Sequence, residues 1–547
     1  MNEPVRLEAR SLAASDAPWW RGAVIYQIYP RSFLDTNGDG IGDLPGITRK
    51  LDYIASLGVS AIWISPFFRS PMHDFGYDVS DYCDVDPIFG SLKDFDVLLE
   101  TAHKLGLKVV IDQVYAHTSD EHAWFEASRQ SRSNPHADWF VWKDPKPDGS
   151  PPNNWQSVFG GAAWTWDARR QQYFMHNFLS SQPQLNVHSP EVQDALLAAA
   201  RFWLQRGVDG FRLDAINFSM FDPEFRDNPP WPAEGRMITR PFDLQHHVYN
   251  QSHPDIVGFL ERIRQLTDAY GAIFTVAEIG GPDPLGEMRA FTAGDGRLNS
   301  AYSFDFLYAP ELTPARVKAS QMTWAGPVSD GWPSWAFSNH DAPRCVSRWC
   351  PPGADRQAYA KLTNALLLSL RGNPIIYQGE ELGLPQADVA FEDLRDPEAI
   401  ANWPRTLGRD GARTPMPWSN DNTFAGFSEQ KPWLPVGQGH PELSAAHQEG
   451  DAGSVLNFTR AMLRVREGSE AIRLGDVSFP EVGEPLLAVR RELNGEIVIC
   501  LFNLGAGAVP VPRDLASGFT CLIASGASDE PPSEMPGHAV WIGHSLR

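Results

Sequence analysis

Residues 210–216, GFRLDAI, follow closely on residues 191–206, EVQDALLAAARFWLQR, and this pair decides the fold. Apolar residues in the longer stretch recur at spacings of 3 and 4, the period of a helix with one buried face. The shorter stretch is brief, largely apolar and opened by Gly210, as a buried strand should be. A helix feeding directly into a buried strand is part of the repeating βα unit of a parallel sheet. Working outward, similar runs occur at 23–29 (AVIYQIY), 59–65 (VSAIWIS), 108–114 (KVVIDQV), 274–279 (FTVAEI), 302–306 (YSFDF), 334–338 (SWAFS) and 374–378 (PIIYQ), eight in all. Helical patterns lie between several of them, as at 255–270. The class is α/β, and eight such units predict a closed (β/α)8 TIM barrel rather than an open doubly wound sheet.

Two intervals are too long for ordinary loops. Residues 117–187, rich in aromatics, Asn and Pro, predict a small domain inserted after strand 3, and a second insertion of about 383–453 follows strand 8. After a helix at 454–467 the pattern changes to short alternating runs such as PLLAVRREL and EIVICLFNL, which predict a C-terminal antiparallel β domain over 472–547. The barrel is thus expected from 1–116 and 188–471.

Composition narrows the partners. The 547 residues carry a net charge of -22, which opposes binding to nucleic acid phosphates and leaves a neutral or cationic small molecule as the expected substrate. Five scattered cysteines without CxxC spacing suit reduced thiols, and no apolar run suits a signal peptide or a membrane span, so a cytoplasmic protein with no membrane partner is expected. The 19 Trp and 30 Phe fit large cores by default and sugar faces only where a site calls for them.

In such a barrel the active site lies at the carboxyl ends of the strands. Strand 3 ends in DQVYAH, with Asp112 and His117; strand 4 in FRLD, with Arg212 and Asp214; strand 5 in VAE, with Glu278; strand 7 runs into SNHD, with His340 and Asp341. The loop after strand 2, HDFGYD, adds Asp74 and Tyr77. A single Asp at a strand end is ordinarily a helix cap. Acids and His at several strand ends together are not explained by capping. Alternation puts Arg212 and Asp214 on one face, the barrel interior. Clustered carboxylates with Arg and His, and no Cys/His metal centre, suit glycoside cleavage through a cationic transition state. On this reading Asp214, beside Arg212, is the ionised nucleophile and Glu278 the proton donor.

The stretch DTNGDGIGDLPG, 35–46, spaces Asp35, Asn37, Asp39, the Ile41 carbonyl and Asp43 like the first nine positions of an EF-hand loop. Position 12 is Gly46, where an EF-hand needs Glu, and the preceding residues read as a strand. On spacing alone, a metal cage and ordinary Asx-turn chemistry both remain open.

The four ordered stretches DQVYAH, GFRLDAIN, VAEI and FSNHD, with GVSAIWISP, QPQLN and GNPIIYQGEELG in support, resemble the α-amylase superfamily, glycoside hydrolase family 13. The segments IYQIYPRSF, DTNGDGIGDLPGI, NNWQSVFGG and DGARTPMPW are similar to its α-glucosidase and oligo-1,6-glucosidase branch. The resemblance implies Asp214 as nucleophile, Glu278 as general acid/base and Asp341 as the third carboxylate. It also implies that Asp74, Tyr77, His117, Arg212, His340 and Arg413 hold the non-reducing glucose, Asp74 and Arg413 gripping its 4-hydroxyl, with Phe159 and Phe178 as aromatic walls. It further implies structural Ca2+, rather than Mg2+, at Asp35, Asn37, Asp39, Ile41 and Asp43, and no organic cofactor. The implied activity is that of a retaining, exo-acting α-glucosidase, a monomer or homodimer, which transfers glucose to sugar or alcohol acceptors as well as to water. Ala215 after the nucleophile, and Gln184 where oligo-1,6-glucosidases have an acid, favour α-1,4 bonds. Rival readings within the fold are an oligo-1,6-glucosidase and a glucosyl-transferring isomerase. A non-catalytic barrel attached to a transporter is a remote one, since the acids are kept and no anchor is seen.

Overall fold

The computed structural model describes residues 17–232, 238–324, 331–406 and 408–546. Eight parallel strands form its centre: β1 (Ile25–Ile28), β2 (Ala61–Ile64), β3 (Lys108–Val114), β4 (Gly210–Asp214), β5 (Phe274–Ile279), β6 (Ser300–Ser303), β7 (Ser334–Ala336) and β8 (Asn373–Tyr377). They pair in the order β6-β5-β4-β3-β2-β1-β8-β7. A parallel bridge between Ala301 and Pro333 spans the remaining seam, where Ser300 and Ser334 hydroxyls meet at 2.7 Å. The result is a nearly closed barrel.

Alternation along each strand sends side chains to two separate cores. Tyr26, Ile62, Ile64, Val109, Ile111, Phe211, Leu213 and Ala277 pack outward with the helices. Ile25, Ala61, Trp63, Val110, Phe274, Val276, Tyr302, Ala336 and Ile375 fill the barrel, plugged from below by Trp20 and Trp332. Gly210 is required in this layer, because a Cβ there would stand 2.6 Å from the Phe274 carbonyl oxygen. The expected helix at 191–206 is Pro190–Arg206, started by Pro at its first turn and stopped by Gly207 at φ 100°.

One strand is displaced from its expected span. Strand 6 is Ser300–Ser303, not 302–306, and Phe304–Leu307 is a short helix whose N-cap is Ser303. A polar cap followed by Asp305 ends the strand early, which turns Tyr302 into the barrel.

The long interval after β3 contains a three-stranded antiparallel sheet, Trp142–Lys143, Gln172–Met175 and Trp164–Asp167 in that order. The interval after β8 is built of turns and short helices, including Pro397–Asn402 and Ala445–Glu449. Beyond the helix Val455–Gly468, five antiparallel strands form a separate sheet with its own core around Leu486, Leu501 and Trp541. Among the described residues, no helix is long and apolar enough to cross a membrane.

Candidate active site

Strand register assembles the floor of the site. Asp112 of β3 lies opposite Arg212 of β4, and Glu278 of β5 opposite Tyr302 of β6. The fully buried Arg212 guanidinium reaches three acids: Asp112 at 2.6 Å, Asp214 at 2.5 Å and Glu278 at 2.5 Å. It stands over the Trp63 ring, whose indole N–H donates to Asp112 at 2.9 Å. Tyr302 donates to Glu278 at 2.9 Å, and the Ala215 N–H reaches the other Glu278 oxygen at 3.2 Å.

One cation shared by three buried acids leaves a surplus of negative charge. Burial pushes Asp112 up to about 6, with Arg212 opposing. Asp214 is raised well above the usual carboxylate range, by burial and by repulsion from Glu278, Asp112 and Asp341. The expectation that Arg212 sets Asp214 apart from Glu278 is therefore corrected: its fork holds both. Ala215, next to Asp214, has φ 38° and ψ 38°, left-handed backbone at a non-glycine residue beside the acids.

At the other end, Arg409 bridges Asp74 at 2.8 Å, Asp396 at 2.7 Å and Asp341 at 3.5 Å. Arg413 holds Asp341 at 2.7 Å and the His340 carbonyl at 2.7 Å. The Asp341 carboxyl is lowered, because His340, Arg413, Arg409 and Arg212 together outweigh its burial. His340, pushed down to about 3 by burial, is neutral near neutral pH; its Nε2 lies 2.5 Å from the Tyr77 hydroxyl and 3.2 Å from Asp341. Gln182 ties Asp74 at 3.1 Å to His117 at 3.2 Å.

These groups surround a cavity of about 300 Å³. Asp74, Tyr77, His117, Phe159, Phe178, Asp214, Glu278 and Asp341, all singled out from sequence, line it. Arg212, His340 and Arg413 do not: each is fully buried beneath the acids. Arg413 is expected beside Asp74 at the glucose 4-hydroxyl; the arginine that pairs with Asp74 is Arg409, four residues earlier. With the 3-10 turn Asp410–Ala412 between them, both arginines reach Asp341, and Arg409 also pairs with Asp74 and Asp396. Sequence reasoning also missed Tyr302, through the misplaced strand, and an aromatic mouth that includes Phe218, Trp231, Phe242 and Tyr308. Arg240 and Glu398 pair at 2.6 Å on the same wall, from two different loops. Gln184 does not line the cavity; it donates to the Phe218 carbonyl at 2.8 Å and bridges to His117, so it stands behind residues that do.

The 35–43 loop is wound on itself by Asx turns: Asp35 accepts from the Asn37, Gly38 and Gly40 N–H groups, Asn37 from Asp39, and Asp39 from Ile41. Asp43 caps the helix Leu44–Arg49 and is raised by burial, with Asp35 adding repulsion. None of the three acids has an ion-pair partner among the described residues. Three carboxylates, an amide and a carbonyl, all hard oxygen donors lacking a counter-charge, fit a calcium ion.

A family profile described as "Alpha amylase, catalytic domain" matches residues 27–475. A probable alpha-glucosidase of Rhizobium meliloti (strain 1021) is 54% identical over 503 residues, spanning 90% of this chain and 91% of its own. An oligo-1,6-glucosidase of Heyndrickxia coagulans is 37% identical, spanning 90% of this chain and 93% of its own. The crystal structure of an alpha-glucosyl transfer enzyme, XgtA, superposes with a TM-score of 0.92 at 52% identity, covering 97% of this chain and all (100%) of that one.

Proposed function

The chain belongs to the α-amylase family of glycoside hydrolases, and we propose from this that it is a retaining, exo-acting α-glucosidase that prefers α-1,4-linked substrates of maltose size. The observation that carries this reading is the Arg212 fork. It sets Asp214 and Glu278 side by side on the floor of a cavity whose far end is closed by the Asp74–Arg409 pair. Carboxyls about 5 Å apart serve a retaining reaction, whereas an inverting one needs room for a water between them.

On this reading the terminal glucose enters with its 4-hydroxyl toward Asp74 and Arg409. Asp341, lowered by its two arginines, accepts from ring hydroxyls as a carboxylate. The ligand draws Glu278 away from Arg212 and Tyr302 toward the glycosidic oxygen. The proton that the crowded acids retain then goes with Glu278 to the glycosidic oxygen. Asp214, left with Arg212, attacks the anomeric carbon, the aglycone leaves, and a glucosyl ester forms. Glu278 next takes a proton from water or an alcohol, which displaces Asp214 with net retention. The aromatic mouth holds an apolar acceptor alcohol against competition from water, which supports transglucosylation.

We also assign Ca2+ to Asp35, Asn37, Asp39, Asp43 and the Ile41 carbonyl, where it supplies counter-charge to a loop remote from the catalytic steps. The small Ala215 on the cavity wall supports the α-1,4 preference.

The test is a product analysis on maltose, isomaltose and sucrose with wild type, Asp214→Ala and Glu278→Gln. Glucose release fastest from maltose, first as the α-anomer, and abolished by Asp214→Ala is expected. Faster cleavage of isomaltose returns the reading to an oligo-1,6-glucosidase, and rearranged sucrose to an isomerase. Full turnover by the Asp214 variant removes the mechanism.

A further inference from the structure

Away from the catalytic cluster, two histidines and an acid converge where two helices begin. His188 lies just before the helix Pro190–Arg206, and Asp255 is the N-cap of the helix Ile256–Asp268, two residues after His253. The Oδ2 of Asp255 is 3.6 Å from His253 Nδ1 and 4.0 Å from His188 Nδ1, and the three donor atoms lie within 4.8 Å of one another.

The hydrogen bonds around the cluster fix which atoms carry lone pairs. His188 Nε2 lies 2.8 Å from the Phe221 carbonyl, which can only accept, so that nitrogen carries the proton and Nδ1 the lone pair of the neutral ring. The Asp255 amide N–H donates to His253 Nδ1 at 3.4 Å, so this nitrogen carries the ring's lone pair, and an ion would have to displace only this long, weak bond to take it. The Asp255 carboxylate makes no capping bond to its own helix, although Asp at an N-cap ordinarily does. Three acceptors thus face one another with only that weak amide bond among them.

The geometry points to a divalent transition-metal site formed by His188 Nδ1, His253 Nδ1 and Asp255, taking Zn2+ or a similar borderline ion. Two imidazoles and a carboxylate suit Zn2+, whereas Ca2+ prefers an all-oxygen shell. Bonds of about 2.1 Å in a tetrahedron put donors about 3.4 Å apart, so the observed spacings need only a small contraction. The Phe221 carbonyl fixes the His188 ring from behind, as outer hydrogen bonds do at established zinc sites. Asp255 is 66% exposed, which leaves water to complete the shell. The ion braces a wall of the active-site cavity. Ser252, next to His253, donates its N–H to the Asn217 carbonyl at 2.7 Å, and Asn217 and Gln251 both line that cavity.

The test is Zn2+ binding by calorimetry to protein held in excess Ca2+, which keeps the 35–43 loop out of the measurement. One equivalent is expected, weakened at least tenfold by His253→Gln and by Asp255→Asn. Saturation at 100-fold excess over Kd should raise Tm by about 2 °C in wild type and not in Asp255→Asn. His188→Ala also frees the Phe221 carbonyl and can perturb folding. The exposed Asp255→Asn change touches no such bond and decides the matter if His188→Ala fails to fold. Absence of binding to wild type, or unchanged affinity in His253→Gln and Asp255→Asn alike, overturns the assignment.

Discussion

The two ends of the cavity solve the problem of buried charge differently. At the closed end, Asp74, Asp341 and Asp396 share two guanidinium groups, Arg409 and Arg413, and two of the three acids, Asp341 and Asp396, are lowered. At the catalytic end, Asp112, Asp214 and Glu278 share Arg212 alone, and burial raises both Asp112 and Asp214. The closed end is nearly neutral and rigid, which suits holding a sugar that does not change. At the other end crowding makes the acids hold a proton, which suits a site that must first deliver one and then carry negative charge as positive charge develops on the substrate. The halves proposed to hold and to cleave the sugar therefore differ in how their acids share cations before any ligand is considered.

The comparison breaks most sharply at Asp214. In Asp214→Asn the nucleophile is gone, and turnover of maltose should fall by roughly four orders of magnitude or more. The same change removes one of the crowded acids, so Tm should rise rather than fall. A variant that loses both activity and stability would show that Arg212 needs all three partners.

Arg409→Ala is the converse. It strips the counter-charge from Asp74 and Asp396, and removing one partner of a buried pair costs about 3–5 kcal/mol. Urea denaturation should show a loss of that size, with kcat/KM down roughly a hundredfold and most of the change in KM. Arg413→Ala should instead depress kcat, because Asp341 loses its 2.7 Å partner.

How much of this was legible in the sequence follows from periodicity. Arg212, Asp214 and Glu278 could be placed on one floor because strand alternation and parallel register leave no other arrangement. Tyr302 was missed because Ser303 ends β6 earlier than the apolar run suggests. Arg409 was missed because the insertion after β8 has no period, and nothing in GRDGARTPMPW says which arginine reaches Asp74. The His188–His253–Asp255 cluster gave no spacing signal, since its members come from two helix starts far apart in sequence.

Calcium removal separates both ends from the scaffold that carries them. The 35–43 loop accepts Ser428 Oγ on Asp35 at 2.6 Å and takes the Trp433 N–H on the Gly40 carbonyl at 3.0 Å, so it staples the insertion that holds Arg409 and Arg413. At 100-fold excess over Kd a calcium ion bound as proposed would contribute about 2.7 kcal/mol. Chelation should lower Tm by about 2 °C. Turnover well below the transition should stay within a factor of about two, since no acid of the catalytic end lies in the loop. Abolished turnover in a still-folded protein would sink the structural role.

The smallest effect decides how the alkaline fall in stability is read. Glu380, just after β8, is buried with no ion pair among the described residues; its contacts are the Tyr377 N–H at 3.1 Å, Cys345 Sγ at 3.3 Å and Ser338 Oγ at 3.4 Å. Burial pushes it up to about 7 from the ordinary 4.5 of a glutamate. An acid raised in the folded state binds its proton more tightly there than in the unfolded chain. Its contribution is complete below pH 4.5 and is lost as pH rises through about 7, for a total of order 2–3 kcal/mol. Asp112 at about 6 acts in the same direction, so the wild-type curve sums the catalytic end and this isolated acid. Glu380→Gln, which mimics the protonated form, should flatten the fall in stability between pH 5 and 8, and the slope that remains belongs to the acids around Arg212. If it leaves the curve unchanged, the alkaline fall comes from the crowded cluster alone, and the contrast between the two ends is larger than the charges suggest.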